Sequence, residues 1–156
     1  MKSTQSPADV LALEIAGYKA LLRILDGECD ALRRLDAEAI ENAAAAKQAQ
    51  VQALEQLARL REDALRAGGL PASAEGVHVW LAGTGGAEAS SAWATLLDLA
   101  RAARNANARN GRLVVRQRRH YDGALTALLQ AAGLPSVYGA DGRPQHATGG
   151  RTLAAI

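Results

Sequence analysis

The sequence predicts an all-helical protein, and three observations carry this prediction. Of its 156 residues, 36 are Ala and 22 are Leu, while the chain contains no Phe, two Trp and three Tyr. Ala and Leu are strong helix formers, whereas strands prefer the β-branched and aromatic side chains that are scarce here. Apolar residues also recur at alternating steps of three and four. We therefore expect an antiparallel bundle of three long helices, in which a helical hairpin precedes a longer third helix, with a flexible C-terminal tail.

The first helix is predicted to begin at Ser6 and Pro7, because Ser is a favoured N-cap and Pro is favoured at the first helical position. Its apolar residues follow a seven-residue repeat. They are Leu11, Ile15, Tyr18, Leu22, Leu25, Cys29 and Leu32. Further apolar residues widen this stripe, which suits a bundle better than an isolated two-stranded coil. Cys29 is predicted to be a small buried side chain.

A second helix is predicted after Asp36, which can act as its N-cap, with Glu38 in the first turn near the positive end of the helix dipole. A sharp corner near Leu35–Ala37 is favoured because two helices that fold back bury each other's stripes, and one continuous helix is the alternative. The second stripe consists of Ile40, Ala44, Lys47, Val51, Leu54 and Ala58. Gly68, Gly69 and then Pro71 end this helix.

Residues 68–88 are predicted to connect the hairpin to the third helix. Ser73 can cap a short helix over residues 75–81, with Val77 and Trp80 on its apolar side. The run of Gly83, Thr84, Gly85 and Gly86 predicts a flexible linker. This run does not match a phosphate-binding loop, which ends in Gly-Lys-Ser/Thr after a strand.

The third helix is predicted over residues 88–132, ending at Gly133, and its stripe keeps the alternation of three and four throughout. The stripe comprises Trp93, Leu96, Ala100, Ala103, Asn107, Asn110, Val114, Gln117, Tyr121, Ala124, Leu128 and Ala131. At 1.5 Å per residue the helix spans ~67 Å, against ~42–46 Å for each of the first two. It therefore either extends beyond its partners or breaks near residues 105–111. Residues 1–135 are expected to form the bundle, and residues 136–156 a mobile tail.

Polar residues on the third stripe allow two interpretations. Asn107, Asn110 and Gln117 can specify the register of the bundle, as a buried Asn does in coiled coils. Alternatively, the first two helices leave this part of the stripe uncovered. In that case the apolar residues Val114, Tyr121, Leu125 and Leu128 border an open groove for an amphipathic helix of another protein.

The charge of the chain is weakly basic and unevenly distributed. The net charge of +2 combines −2 in residues 1–67 with +4 in residues 68–156. Arg109, Arg112, Arg116 and Arg119 lie on one helical face. A solvated face is favoured over a site for nucleic-acid phosphates or an acidic membrane, since no stacking aromatics lie beside it. An acidic protein partner is a third possibility.

No pattern of catalytic residues is present, so we expect neither an enzyme, nor a cofactor, nor a metal site. His78, His120 and His146 lie on different segments without metal-ligand spacing, and no nucleophile, base and orienting group form a recognisable set. The single cysteine, Cys29, excludes an intrachain disulfide and fits a reducing cytoplasm. The N-terminus lacks a signal-peptide core, and no stretch of ~18 apolar residues predicts stable membrane insertion.

Three features together resemble the FlgN-type flagellar export chaperones. The tail carries Val137-Tyr138-Gly139-Ala140-Asp141-Gly142, followed by a Gly-Gly-basic step at residues 149–151. The third helix carries Asn-x-x-Asn-Gly at residues 107–111, followed by apolar residues. The opening hairpin has an acidic corner near Asp36 and a lysine at Lys47. The resemblance covers nearly the whole chain, and the tail and Asn-Asn-Gly elements are its more specific parts.

The resemblance implies a cytosolic chaperone of flagellar type III secretion. Such a chaperone binds the C-terminal amphipathic helical segment of hook-associated (hook-filament junction) proteins, prevents premature assembly and delivers them to the cytoplasmic domain of the export gate protein. It implies docking on that gate domain by Tyr138, with Gly139, Asp141 and Gly142 around it. It places the substrate contact on Asn107, Asn110, Gly111, Val114, Gln117, Tyr121, Leu125 and Leu128. A basic helical adaptor for nucleic acid and a structural coiled-coil dimer are the alternatives.

Overall fold

The computed structural model describes residues 6–133, apart from the side chains at positions 84 and 85. Four α-helices form in this part of the chain: α1 (Pro7–Arg34), α2 (Ala37–Ala67), α3 (Ala74–Trp80) and α4 (Gly86–Ala131), with a π-helical turn (Leu81–Gly85) before α4. No strand occurs in these residues, so the predicted all-helical class is confirmed. The described residues divide into two compact units, 6–113 and 114–133.

The caps of α1 and α2 form where the sequence predicts them. The Ser6 hydroxyl accepts a hydrogen bond from the backbone N–H of Asp9 at 3.2 Å, and the Asp9 carboxylate accepts one from the Ser6 N–H at 3.1 Å. The Asp36 carboxylate accepts from the Ala39 N–H at 3.0 Å. Leu35 adopts a left-handed conformation with a φ of 56°. This conformation ends α1, so the chain turns a corner there instead of continuing as one helix.

The connection between α2 and α4 is more helical than the sequence predicts. Ser73 caps α3, and both Val77 and Trp80 are buried. The backbone then stays helical through Leu81–Gly85, and the break falls at Gly86, whose φ is 69°. The prediction of a flexible linker is therefore wrong for residues 83–85. Val77 and Trp80 hold α3 in place because they are buried. The π-helical turn then continues the helix as far as Gly86, because glycine can adopt a positive φ.

The hairpin of α1 and α2 packs closely and antiparallel. A Cβ atom added to Gly17 would lie 2.7 Å from Leu54 Cδ2, so the two helices approach through the missing side chain. Gln50 Nε2 donates a hydrogen bond to the Gly17 carbonyl at 3.0 Å. Only glycine allows this approach without displacing a neighbour.

Two clusters of buried side chains form the core of residues 6–113, and α1 contributes to both. One cluster contains Leu11, Leu65, Val77, Trp80, Ala89 and Leu96, and the other contains Leu21, Leu25, Leu54, Ala103 and Ala106. The first cluster joins early residues of α1 and α4 to a late residue of α2, and the second joins later residues of α1 and α4 to an earlier residue of α2. Helices α1 and α4 therefore run in the same direction, and α2 runs in the opposite direction. Cys29 is buried, as the sequence predicts.

The third long helix is continuous. It runs from Gly86 to Ala131, so the predicted alternative of a break near residues 105–111 does not occur. Its small buried residues Ala89, Ala103 and Ala106 face the core of residues 6–113 together with Leu96. Alanines at these positions give α4 a shallow packing surface, because each buries little apolar area.

Candidate functional site

An apolar stripe is exposed on the part of α4 that lies in the unit of residues 114–133. Val114, Tyr121, Leu125 and Leu128 have exposed fractions between 47% and 68%. Their spacing of seven, four and three places them on one side of the helix. We call these four residues the α4 stripe. Large exposed apolar side chains on one side of a helix are typical of a surface that binds another protein.

A pair of charged side chains lies beside the α4 stripe. The guanidinium Nε of Arg118 lies 3.9 Å from the Asp122 carboxylate one turn away. The rings of His120 and Tyr121 meet edge to face, with centroids 6.2 Å apart. Arg116 and Arg119 are exposed and lie on the side of the helix opposite the stripe. The stripe is therefore the apolar face of an amphipathic helix, with Arg118 and Asp122 at one edge.

The arginine series is exposed, and its first member forms an ion pair with α1. Arg109 Nη2 lies 3.3 Å from the Asp26 carboxylate of α1, and both side chains are exposed. Arg112, Arg116 and Arg119 are also exposed. An exposed ion pair of this kind contributes ~0–1 kcal/mol. These positions agree with the interpretation of the series as a solvated face.

The Asn-Asn-Gly element divides between the surface and the core. Asn107 and Gly111 are exposed and Gln117 is half-buried, whereas Asn110 is only 2% exposed. Asn110 Nδ2 donates to the Leu25 carbonyl at 2.8 Å and to Glu28 Oε2 at 2.9 Å. We therefore assign Asn110 to the packing of α4 on α1, because a side chain enclosed in this way is not presented to a partner.

Two buried carboxylates of α1 form ion pairs with α2, and the apolar pattern misses both of them. Glu28 Oε1 lies 2.6 Å from Lys47 Nζ, and Glu14 Oε2 lies 2.9 Å from Arg61 Nε. The Arg61 guanidinium also lies 5.3 Å from the centre of the Trp93 ring of α4. Each pair thus joins the hairpin to a side chain of α4, Asn110 in the first case and Trp93 in the second. The ion pairs and hydrogen bonds offset the free-energy cost of burying these carboxylates.

Asn110→Ala is expected to lower the free energy of unfolding by about 1–3 kcal/mol, because Glu28 and the Leu25 carbonyl lose a buried donor. Asn107→Ala is the matched control, since Asn107 is exposed one turn earlier, and its effect is expected to stay within about 0.5 kcal/mol. Urea unfolding of both variants measures the difference. Equal effects would mean that the two hydrogen bonds of Asn110 do not hold α4 on α1.

The expected gate-docking residues Tyr138, Gly139, Asp141 and Gly142 lie outside the described residues, as does the rest of the tail, 136–156. Within residues 6–133, no group of three or more His, Cys, Asp or Glu side chains is placed to hold a metal ion. No helix in this part of the chain has the length and apolar content needed to cross a membrane.

Comparisons with known proteins agree on one family. A model of the family described as "FlgN protein" matches residues 1–146. A crystal structure of a flagella synthesis protein FlgN from Pseudomonas aeruginosa is similar, with a TM-score of 0.61 and 32% sequence identity, over 70% of this chain and 88% of that one. No curated protein matches the chain.

Proposed function

The chain belongs to the FlgN family, and we propose that it is a flagellar export chaperone acting in the cytoplasm. It binds the C-terminal amphipathic helical segment of a hook-associated protein, prevents premature assembly and delivers this client to the type III export gate. It acts by binding rather than by catalysis. Residues 1–135 serve as the chaperone domain, and residues 136–156 as a docking tail.

The exposed α4 stripe is the observation that carries this proposal. Helical segments that polymerise through an apolar face associate wrongly when that face is exposed to water. The α4 stripe offers such a segment an apolar surface of matching helical spacing. Asn107, Gly111 and Gln117 lie on α4 before or between the stripe residues and complete the proposed contact, while Asn110 keeps its place in the core.

Gate docking is assigned to the tail. Tyr138 supplies a large ring with a polar tip, a type of side chain enriched at the energetic centres of interfaces. Gly139, Asp141 and Gly142 are turn-forming residues that can present the ring.

A titration tests the proposal against the nucleic-acid alternative. The purified chain is titrated with the C-terminal segment of a hook-associated protein and, separately, with random duplex DNA at low salt and at roughly 200 mM salt. We expect saturable binding of the segment that depends little on salt, since apolar contacts dominate it. Binding of DNA with a steep loss of affinity at the higher salt, and no binding of the segment, would instead identify a basic adaptor.

A further inference from the structure

Residues 6–113 contain an open groove that the α4 stripe does not line. Two adjoining cavities, of about 320 and 790 Å³, lie over α1 and between α2 and α4. Both are lined by Tyr18 and Leu21 of α1, by Val51 and Glu55 of α2, and by Ala100 of α4. We call this continuous depression, defined by these five residues, the α2–α4 groove.

Both walls of the groove expose apolar side chains to solvent. Val51 on α2 is 40% exposed and Leu97 on α4 is 44% exposed, and both line the smaller cavity. The larger cavity is bordered by small side chains, Ala44 on one wall and Ala100 and Ala103 on the other. Small residues on two helices leave holes that accept the larger side chains of a third, as in knobs-into-holes packing.

The dimensions of the groove fit a helix. Its α4 wall extends from Trp93 to Asn107, which is ~22 Å at 1.5 Å per residue, or about four helical turns. Packed helices lie ~8–10 Å apart, axis to axis. A helix of about 15 residues would complete a four-helix arrangement with α1, α2 and α4, and would bury Val51 and Leu97.

The charges on the two walls have opposite signs. Glu55 on α2 and Arg104 on α4 both line the larger cavity and are exposed. Among the described residues 6–133, neither side chain forms an ion pair, whereas Lys47 on the α2 wall is already paired with Glu28. Opposite charges on the walls favour a partner whose two edges carry the complementary charges.

We propose that the α2–α4 groove binds an amphipathic helix of a partner protein. Its leucine-sized side chains face Tyr18 and Leu21, a basic edge faces Glu55, and an acidic edge faces Arg104. The inference goes beyond the proposed function, because it places a second helix-binding surface on residues 6–113 and does not depend on the α4 stripe. Of the residues in the proposed client contact, Asn107 alone also borders the groove.

A designed peptide tests the groove with the full chain. The probe is a helical peptide of about 18 residues with Leu at the core positions of each heptad, Lys on one flank and Glu on the other. Fluorescence anisotropy measures its affinity. Val51→Asp is expected to weaken binding about tenfold or more, whereas Leu60→Asp, on the same helix at 46% exposure and outside the groove lining, is expected to change it less than twofold. Circular dichroism confirms that both variants fold.

The charge pattern is tested with a second peptide that carries Glu on both flanks. The unaltered chain is expected to bind the mixed-flank peptide about threefold to fivefold more tightly. Glu55→Lys is expected to reverse this order, because both walls are then basic. Glu41→Lys, a change of the same charge elsewhere on α2, is expected to leave the order unchanged.

Several results would overturn the inference. These are no binding of either peptide, equal effects of Val51→Asp and Leu60→Asp, or an unchanged peptide order in Glu55→Lys. Sedimentation that shows a dimer dissociated by Val51→Asp would identify a second copy as the occupant. A gain of tenfold or more in peptide affinity on deletion of residues 134–156 would identify the chain's own tail. Loss of peptide binding in Leu128→Asp but not in Val51→Asp would place the peptide on the α4 stripe.

Discussion

Leu128→Asp is expected to weaken binding of the C-terminal segment of a hook-associated protein by about thirtyfold to a hundredfold. Leu128 is 68% exposed, so the folded chain alone loses little when it is replaced. In the complex the substitution removes the burial of a leucine, worth about 1.5–3 kcal/mol, and places a carboxylate in an apolar contact. Isothermal titration calorimetry with the segment measures the change, since each 1.4 kcal/mol is about tenfold in affinity.

Leu13→Asp is the matched control for this prediction. Leu13 is also an exposed leucine of a long helix, but it lies on α1, outside the α4 stripe. Its replacement is expected to change the affinity less than twofold, as is usual for surface positions away from a contact. If both variants bind the segment as tightly as the unaltered chain, the α4 stripe does not contact the client.

Tyr138→Ala is expected to abolish delivery of the client while leaving its binding largely intact. The proposal gives the tail a single aromatic anchor, and truncation of such an anchor commonly costs about 2 kcal/mol or more. The gate contact of the variant is then expected to be too weak for delivery. Secretion of hook-associated proteins by cells carrying the variant measures delivery, and calorimetry with the purified chain measures client binding.

His146→Ala provides the control for the tail, because it changes a ring in the same segment outside the Tyr-Gly-Ala-Asp-Gly element. Its secretion is expected to match that of the unaltered chain. A Tyr138→Ala chain that secretes normally would remove the tail from delivery. One that instead lost client affinity would show that holding and delivery are not divided between α4 and the tail.

The ends of the helices were predictable because they depend on local chemistry. Ser6 with Asp9 forms the cap of α1, Asp36 caps α2 and Ser73 caps α3, and each of these hydrogen bonds joins residues three apart in the chain. The left-handed residue at Leu35 was not predictable in the same way. Glycine is the usual residue at such a position, so a leucine there does not predict a left-handed conformation.

The buried ion pairs were missed because a search for apolar periodicity treats carboxylates as surface residues. Glu14 and Glu28 occupy the heptad phase of Leu21, two heptads apart from one another, and both are buried. Their partners Arg61 and Lys47 are also two heptads apart on the antiparallel helix. This matched spacing of opposite charges was present in the sequence, and it indicates both the direction and the register of the hairpin.

Which residues of the long heptad repeat of α4 are buried was only partly predictable. Its periodicity shows which side of the helix is apolar, but whether that side is covered depends on residues distant in the chain. Thus Leu96, Ala103 and Asn110 are buried, while Val114 and Leu128, on the same repeat, are exposed. Likewise, the α2–α4 groove depends on the distance between α2 and α4. The residue pattern within a single helix does not predict that distance.

Photo-crosslinking tests most directly whether the helical segment of a client covers the α4 stripe. A photoreactive amino acid replaces Leu125 in one preparation and Leu13 in another, and each is irradiated with the C-terminal segment of a hook-associated protein. We expect a crosslink from position 125 to the apolar face of the segment and none from position 13. A crosslink from position 13 alone, or equal yields from both positions, would contradict it.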